Sequence, residues 1–202
     1  MKPKTLSFKF IRHLLLYVSL FTSYVMLQST GCSPATPTIP CNTTNTPFHQ
    51  FYNTLTSNGL FEANSMDVLT HEYSFKVPFN TTICKVGYQG NPGLSPSSYT
   101  IEIVNGSTVL YTGTHVFATG ATDYQAITPV NLVPGQTYTI RRTVTNTTTS
   151  LANLVGRMVY AGGGSMSFPI TIGQLTITGT NFYGRGGPLP NVGIPFIDIV
   201  FQ

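Results

Sequence analysis

The chain has 202 residues, no Trp, ten Lys plus Arg against six Asp plus Glu, and a formal charge of +4. Four of the ten basic residues, Lys2, Lys4, Lys9 and Arg12, lie at the N-terminus, and the rest of the chain is formally neutral with six charges of each sign. Only Arg141 and Arg142 are adjacent, so the clustered cations that replace phosphate counterions are missing and nucleic acid is excluded as a partner.

In chain order, the first element is an export signal. The four cations precede an apolar run from Leu14 to Leu27, followed by Gln28-Ser29-Thr30-Gly31-Cys32. A permanent span needs about 20 apolar residues, and this run is shorter. The small residues before Cys32 resemble the lipobox of a bacterial lipoprotein, where a diacylglycerol is attached to the Cys thiol and the chain is cut before it. Ser29 stands where that pattern usually has Leu, and the alternative is ordinary cleavage near Gly31 or Ala35. The resemblance implies lipidation at Cys32 and display on the outer face of a bacterial membrane; the alternative implies secretion. Residues 1–31 are the expected signal peptide. Residues 32–47, rich in Pro, Thr and Asn, are the expected tether, and residues 48–202 one folded domain.

Within the domain, Phe51 to Met66 is the one stretch that suggests a short helix. Strands follow. Tyr73 to Val77 alternates apolar and polar residues, Ile83 to Val86 is an apolar run, and Tyr99 to Val104 alternates again. Asn105-Gly106 then predicts a type I′ hairpin into Ser107 to Tyr111. Val133-Pro134-Gly135-Gln136 predicts a turn into Thr137 to Val144. Later runs are Leu154 to Tyr160, Phe168 to Ile172, Leu175 to Tyr183 and Pro195 to Phe201. Short strands at this spacing, without a convincing 3.6-residue period, predict an all-β antiparallel β-sandwich or jelly roll.

Three cysteines are present, Cys32, Cys41 and Cys84. With Cys32 lipidated or removed, two remain in an oxidising compartment, where a Cys41–Cys84 disulfide would staple the tether to the sheet. The alternative is a free buried thiol at Cys84 and an exposed one at Cys41. Neither a C-x-x-C pair nor a His cluster suggests zinc, and His49, His71 and His115 lie in no ligand spacing. Sequons begin at Asn42, Asn80, Asn105 and Asn146 and follow from an Asn/Thr-rich composition.

Ile83-Cys84-Lys85-Val86-Gly87-Tyr88 with Gly90-Asn91-Pro92-Gly93, then Val130 to Tyr138, Phe182-Tyr183-Gly184 and the closing Phe196 to Phe201 carry a resemblance. Together they look like a bacterial secreted β-sandwich domain of unknown function, over about Glu72 to Phe201. That family occurs in exported surface proteins, often beside carbohydrate-active modules. The chain departs from it in lacking Trp, with Tyr124 and Phe196 at those positions, and in having Asn146 to Ser150 where a His-Tyr segment is usual. The family supplies no catalytic residues to carry over.

Two charged residues fall on apolar faces. Period two places Asp198 with Phe196 and Val200, and Arg142 with Tyr138, Ile140 and Val144. Both are expected to be buried structural groups, each needing a partner, and each is a candidate partner for the other. A calcium or ligand contact through Asp198 is the sharper alternative, and no other cofactor is expected. The glycine loops at Gly162 to Gly164 and Gly184 to Gly187 precede no helix and are turns rather than phosphate cradles. Beside the second, Tyr183 and Arg185 offer a stacking ring and a donor, which suits a sugar, as do Tyr88 and Tyr124 if they lie on loops. No G-x-S-x-G elbow is present, the mature chain has only six scattered acids, and Cys84 has no His near it in sequence, so an enzyme is not expected. The expected function is a non-catalytic binding module for glycan or cell-envelope polymer. The alternative is an adhesin-like component that binds another surface protein.

Overall fold

The computed structural model of the protein describes residues 41–65, 68–90, 98–145, 156–184 and 187–202, which lie in one compact unit, Ile39–Gln202. The signal, Cys32, Asn146 to Ser150 and Arg185 lie outside the described residues. The elements are helix α1 (Pro47–Ser57) and strands β1 (Phe61–Asn64), β2 (Val68–Lys76), β3 (Thr81–Tyr88), β4 (Ser98–Asn105), β5 (Thr108–Val116) and β6 (Asp123–Leu132). They continue with β7 (Tyr138–Val144), β8 (Arg157–Tyr160), β9 (Ile170–Ile172), β10 (Leu175–Gly184), β11 (Gly187–Pro190), β12 (Ile194–Pro195) and β13 (Asp198–Phe201). The architecture is the all-β antiparallel sandwich expected from the sequence. A large sheet runs β11-β10-β2-β7-β4-β5, with β9 added to β10, and stacks on a three-stranded sheet β13-β3-β6. A small third sheet is ordered β1-β8-β12.

Strand alternation builds the core. In β7, Tyr138, Ile140, Arg142 and Val144 are buried, while Thr139, Arg141 and Thr143 face outward. Tyr73 and Phe75 of β2 and Ile101 and Ile103 of β4 line the same inner face. Opposite them lie Ile83 and Val86 of β3, Val130 and Leu132 of β6 and Ile199 of β13, all in one apolar cluster. The face predicted for Arg142 is therefore correct.

Helix α1 begins earlier than the sequence suggests. Thr46 is its N-cap, accepting a hydrogen bond from the His49 amide, and Pro47 occupies the first turn, where its missing N–H costs nothing. Phe48, Phe51, Tyr52 and Leu55 form its buried stripe. Phe48 stacks on Tyr73 and meets the edge of Phe196. The folded part thus includes the last residues of the stretch read as a tether, because Cys41 is disulfide-bonded to Cys84 in β3.

One strand is not among those expected, and one expected turn needs correction. Strand β6 carries Pro129 and a register shift against β3, and both disguise its period. The hairpin turn between β4 and β5 is Gly106-Ser107, since Asn105 pairs with Thr108. Only Gly106 has positive φ (+57°), the requirement of a type II′ rather than a type I′ turn.

The disulfide spans a sequence separation of 43. In the chain-entropy account a loop of that length contributes about 4 kcal/mol. The Cys41→Ser, Cys84→Ser double variant is therefore expected to lose several kcal/mol in denaturant unfolding relative to the oxidised wild type. Unchanged stability would show that the bridge constrains nothing in the unfolded chain.

Candidate functional site

The outer face of the large sheet carries a polar cluster set by cross-strand register. Asn181 of β10, Glu72 of β2, Arg141 of β7 and Glu102 of β4 pair in a row. Arg141 donates from Nε to Glu72 Oε2 at 2.7 Å and from Nη1 to Glu102 Oε2 at 3.4 Å. Tyr183 donates its hydroxyl to Glu72 Oε1 at 2.9 Å, and Asn181 Nδ2 donates to the same oxygen at 3.3 Å. Glu72 is only 7% exposed, so three donors compensate a carboxylate largely removed from water. Desolvation and the bond to Glu72 both raise the Tyr183 pKa, keeping the phenol a donor. Thr70, Thr143, Glu102, Arg141 and Tyr183 line a shallow depression of about 410 Å³ here. Thr70 and Thr143 are hydrogen-bonded neighbours within it.

A second polar site lies on the β13-β3-β6 sheet. Asp198 is fully buried and accepts from the Thr46 hydroxyl (2.7 and 2.8 Å to its two oxygens), from Tyr124 Oη (2.7 Å to Oδ2) and from the Ile199 amide. Gly87 makes this possible: a Cβ there would meet the Tyr124 ring at 2.5 Å and Asp198 Cβ at 3.1 Å. Burial pushes the Asp198 carboxyl up to about 6, against the opposing pull of its Thr46 and Tyr124 hydrogen bonds.

The third group is internal. Arg142 is fully buried, and among the described residues no carboxylate pairs with it. Its guanidinium lies 5.2 Å from the Tyr88 ring centroid and 5.5 Å from that of Tyr99, donates to Leu69 O, and approaches His71 Nδ1 at 2.7 Å. Arg142 Nη2 also lies 3.1 Å from His71 Nε2, but Ser65 Oγ spends its one proton on Gly156 O, so at 3.0 Å it accepts from Nε2–H and Nδ1 accepts from Arg142. Burial and the adjacent guanidinium hold the His71 pKa well below its usual value. Ser65 in turn donates to Gly156 O and accepts from Gly156 N. This is the wrong tautomer for drawing a proton from Ser65, and the group is closed to solvent. It is a structural network rather than a nucleophile and its base.

The structure separates the residues that sequence reasoning had grouped. Tyr183 lies on the outer face of the large sheet, half-buried beside Glu72. Tyr124 lies on β6 of the β13-β3-β6 sheet with its hydroxyl committed to Asp198. Tyr88 is 2% exposed, packed between Arg142, Tyr99 and Phe117, because its strand position faces the core; it is no loop contact. Arg142 and Asp198 are both buried as expected but do not pair. Arg142 points into the core and Asp198 is held between the β13-β3-β6 sheet and the start of α1. Glu72, Glu102, Arg141 and Asn181 were not picked out from sequence, although each occupies the polar phase of its strand, which was the available signal. Among the described residues no three His, Cys, Asp or Glu side chains are placed to hold a metal, and no helix is long and apolar enough to cross a membrane. No protein-family model and no curated protein matches the chain.

The raised Asp198 pKa has a signed consequence. Between pH 4 and 6 the folded state binds a proton that the unfolded chain, titrating near 3.8, releases. This group therefore adds stability as pH falls through about 6, by no more than about 3 kcal/mol, and that contribution is lost on returning to neutral pH. Unfolding free energies of wild type and Asp198→Asn, compared from pH 4 to 7, should differ by an amount that changes across this window. A pH-independent difference would mean that Asp198 titrates normally.

Proposed function

We propose that this domain is a non-catalytic binding module for a glycan or cell-envelope polymer, held at the envelope by a lipid on Cys32. The observation that carries the reading is the outer face of the large sheet. Tyr183, Arg141, Glu102, Thr70 and Thr143 surround one open depression, and Glu72 fixes the orientation of Tyr183 and Arg141. A pre-oriented aromatic ring among donors and acceptors of both kinds matches a sugar, which presents an apolar ring face and hydroxyls that donate and accept. Glycoside hydrolysis needs one acid kept protonated in apolar surroundings. Glu72 is instead met by three donors and Glu102 by Arg141, which supports binding without catalysis.

A second reading has its own observation. β11 carries Pro188 and Pro190, and α1 packs along β13, so those sheet edges are guarded. β5 is an edge strand with no charge and no proline, and its Val109, Leu110 and Val116 are exposed by 53%, 40% and 55%. Such an edge suits strand addition by a partner protein, the assembly function.

A glycan array probed with the oxidised mature protein, with and without calcium, decides between them. Binding is expected for wild type and lost in Tyr183→Ala, with both proteins melting cooperatively. Silence on the array, together with an envelope protein whose capture disappears in Leu110→Lys, would overturn the glycan reading in favour of assembly.

A further inference from the structure

A separate cleft lies at the other end of β2. Tyr183 is paired with Thr70, whereas this cleft opens beyond Lys76, about 20 Å further along the strand. It is about 270 Å³ in volume. Phe79, in the β2–β3 connection, and Phe201, at the end of β13, form its aromatic surface. Asn42, Gln50, Gln174 and Gln202 supply amides around it, and no ionisable side chain lines it. Phe79 is 48% exposed, a large apolar ring left in water at a loop tip where packing does not require it. Among the described residues the amides of Gln174 and Gln202 have no hydrogen-bond partner, and Gln50 uses only its Nε2, which donates to Asn45 O at 2.9 Å.

One wall of the cleft is the segment 42–47, and two attachments hold it in place. Cys41 is bonded to Cys84 of β3, and Thr46 donates to buried Asp198 of β13. Asn45, at φ +57°, turns the chain between them, a conformation that Asn tolerates better than other side chains. The cleft is thus assembled from segments distant in sequence and fixed before any ligand arrives, which lowers the ordering cost of binding.

We propose that this cleft is a ligand site for a single neutral pyranose unit, distinct from the face around Tyr183 and independent of it. Aromatic carbon recognises the apolar face of a sugar ring, and side-chain amides donate to and accept from its hydroxyls. No cationic side chain lines the cleft to compensate the desolvation of a phosphate or uronate group, which selects against both. The volume lies below the usual range for drug-sized ligands, about 300–1,000 Å³, which limits the occupant to about one ring. Because the disulfide holds one wall, the site is complete only in the oxidised protein.

The test is an amide-resolved NMR titration of the oxidised mature protein with neutral methyl glycosides of glucose, galactose, mannose and N-acetylglucosamine, and with glucuronic acid, at millimolar concentration. At least one neutral glycoside is expected to give saturable shifts at Phe79, Gln174 and Gln202, while glucuronic acid gives none. Phe79→Ala should weaken that binding about tenfold, the scale of one aromatic contact. Gln174→Ala, on an exposed turn where folding is not at risk, should weaken it by a smaller factor. Tyr183→Ala should leave it unchanged, and reduction of the disulfide should weaken it while the sandwich remains folded. Absence of saturable shifts with every neutral glycoside, equal binding of glucuronic acid, or unaltered binding by Phe79→Ala would overturn the proposal. Shifts confined to the surroundings of Tyr183 would overturn it while leaving the sheet-face reading intact.

Discussion

A buried carboxylate joins the start of the described chain to its end. Asp198 begins the last strand, and its oxygens accept hydrogen bonds from Thr46, the residue that caps α1, and from Tyr124 on β6. Removing an ionised carboxylate from water costs several kcal/mol unless donors replace the lost hydration, and here two hydroxyls and an amide offset part of that cost. The consequence reaches beyond the pair. With Thr46 held, α1 is registered on β13, whose outer edge would otherwise present unpaired backbone groups, and Phe48 enters the core against Tyr73. The Cys41–Cys84 bond acts on the same segment from its other end. One attachment is covalent and set by redox state; the other is polar and set by proton concentration.

Arg142 presents the opposite problem and has a different solution. Its charge lies in the core with aromatic faces on Tyr88 and Tyr99, a backbone carbonyl and a neutral histidine rather than a carboxylate among the described residues. Cation–π contacts gain strength where water is absent, and guanidinium is less strongly hydrated than ammonium, so Arg suits this position better than Lys would. The arrangement also fixes neighbours: His71 is forced into one tautomer, which orients Ser65 and ties β1 to the segment entering β8 through Gly156. The fold therefore buries one anion and one cation separately, each with a solvation shell built from its own surroundings.

The strands were largely legible in sequence because the sandwich has one dry and one wet face. The alternation of Tyr138 to Val144 placed Arg141 outside and Arg142 inside, as observed. Period two showed that Asp198 and Arg142 would be buried, but pairing depends on strand order, which a local pattern does not contain. Strand β6 was missed because Pro129 and a shift of register break its period. The start of α1 was missed for a different reason. Phe48, Phe51, Tyr52 and Leu55 are spaced i, i+3, i+4 and i+7, and Thr46-Pro47 is a cap followed by a first-turn proline. That stripe begins inside Pro/Thr-rich sequence, whose composition argued for an extended chain. The site residues divide similarly. Tyr183 was recognisable by its place beside a glycine loop, whereas Tyr88 was misread as a loop residue because its inward phase is visible only once the extent of β3 is known.

The two functional readings meet on one surface. The row Asn181, Glu72, Arg141 and Glu102 continues to Thr112 on β5, and Thr100 of β4 pairs with Thr114. These side chains share the outer face with Tyr183, so β5 is both the exposed edge and the margin of the polar platform. A strand added there would extend that platform by one row spacing, about 4.8 Å, instead of covering it. The bulge between Ile103 and Val104 leaves Leu110 of β5 without a partner residue on β4 near the hairpin. Edge pairing and face binding would thus use different atoms of the same strand. Backbone N–H and C=O groups point along the sheet, while Thr112 and Thr114 point out of it. Occupying one does not exclude the other, and a change at Leu110 acts on the edge while a change at Tyr183 acts on the face.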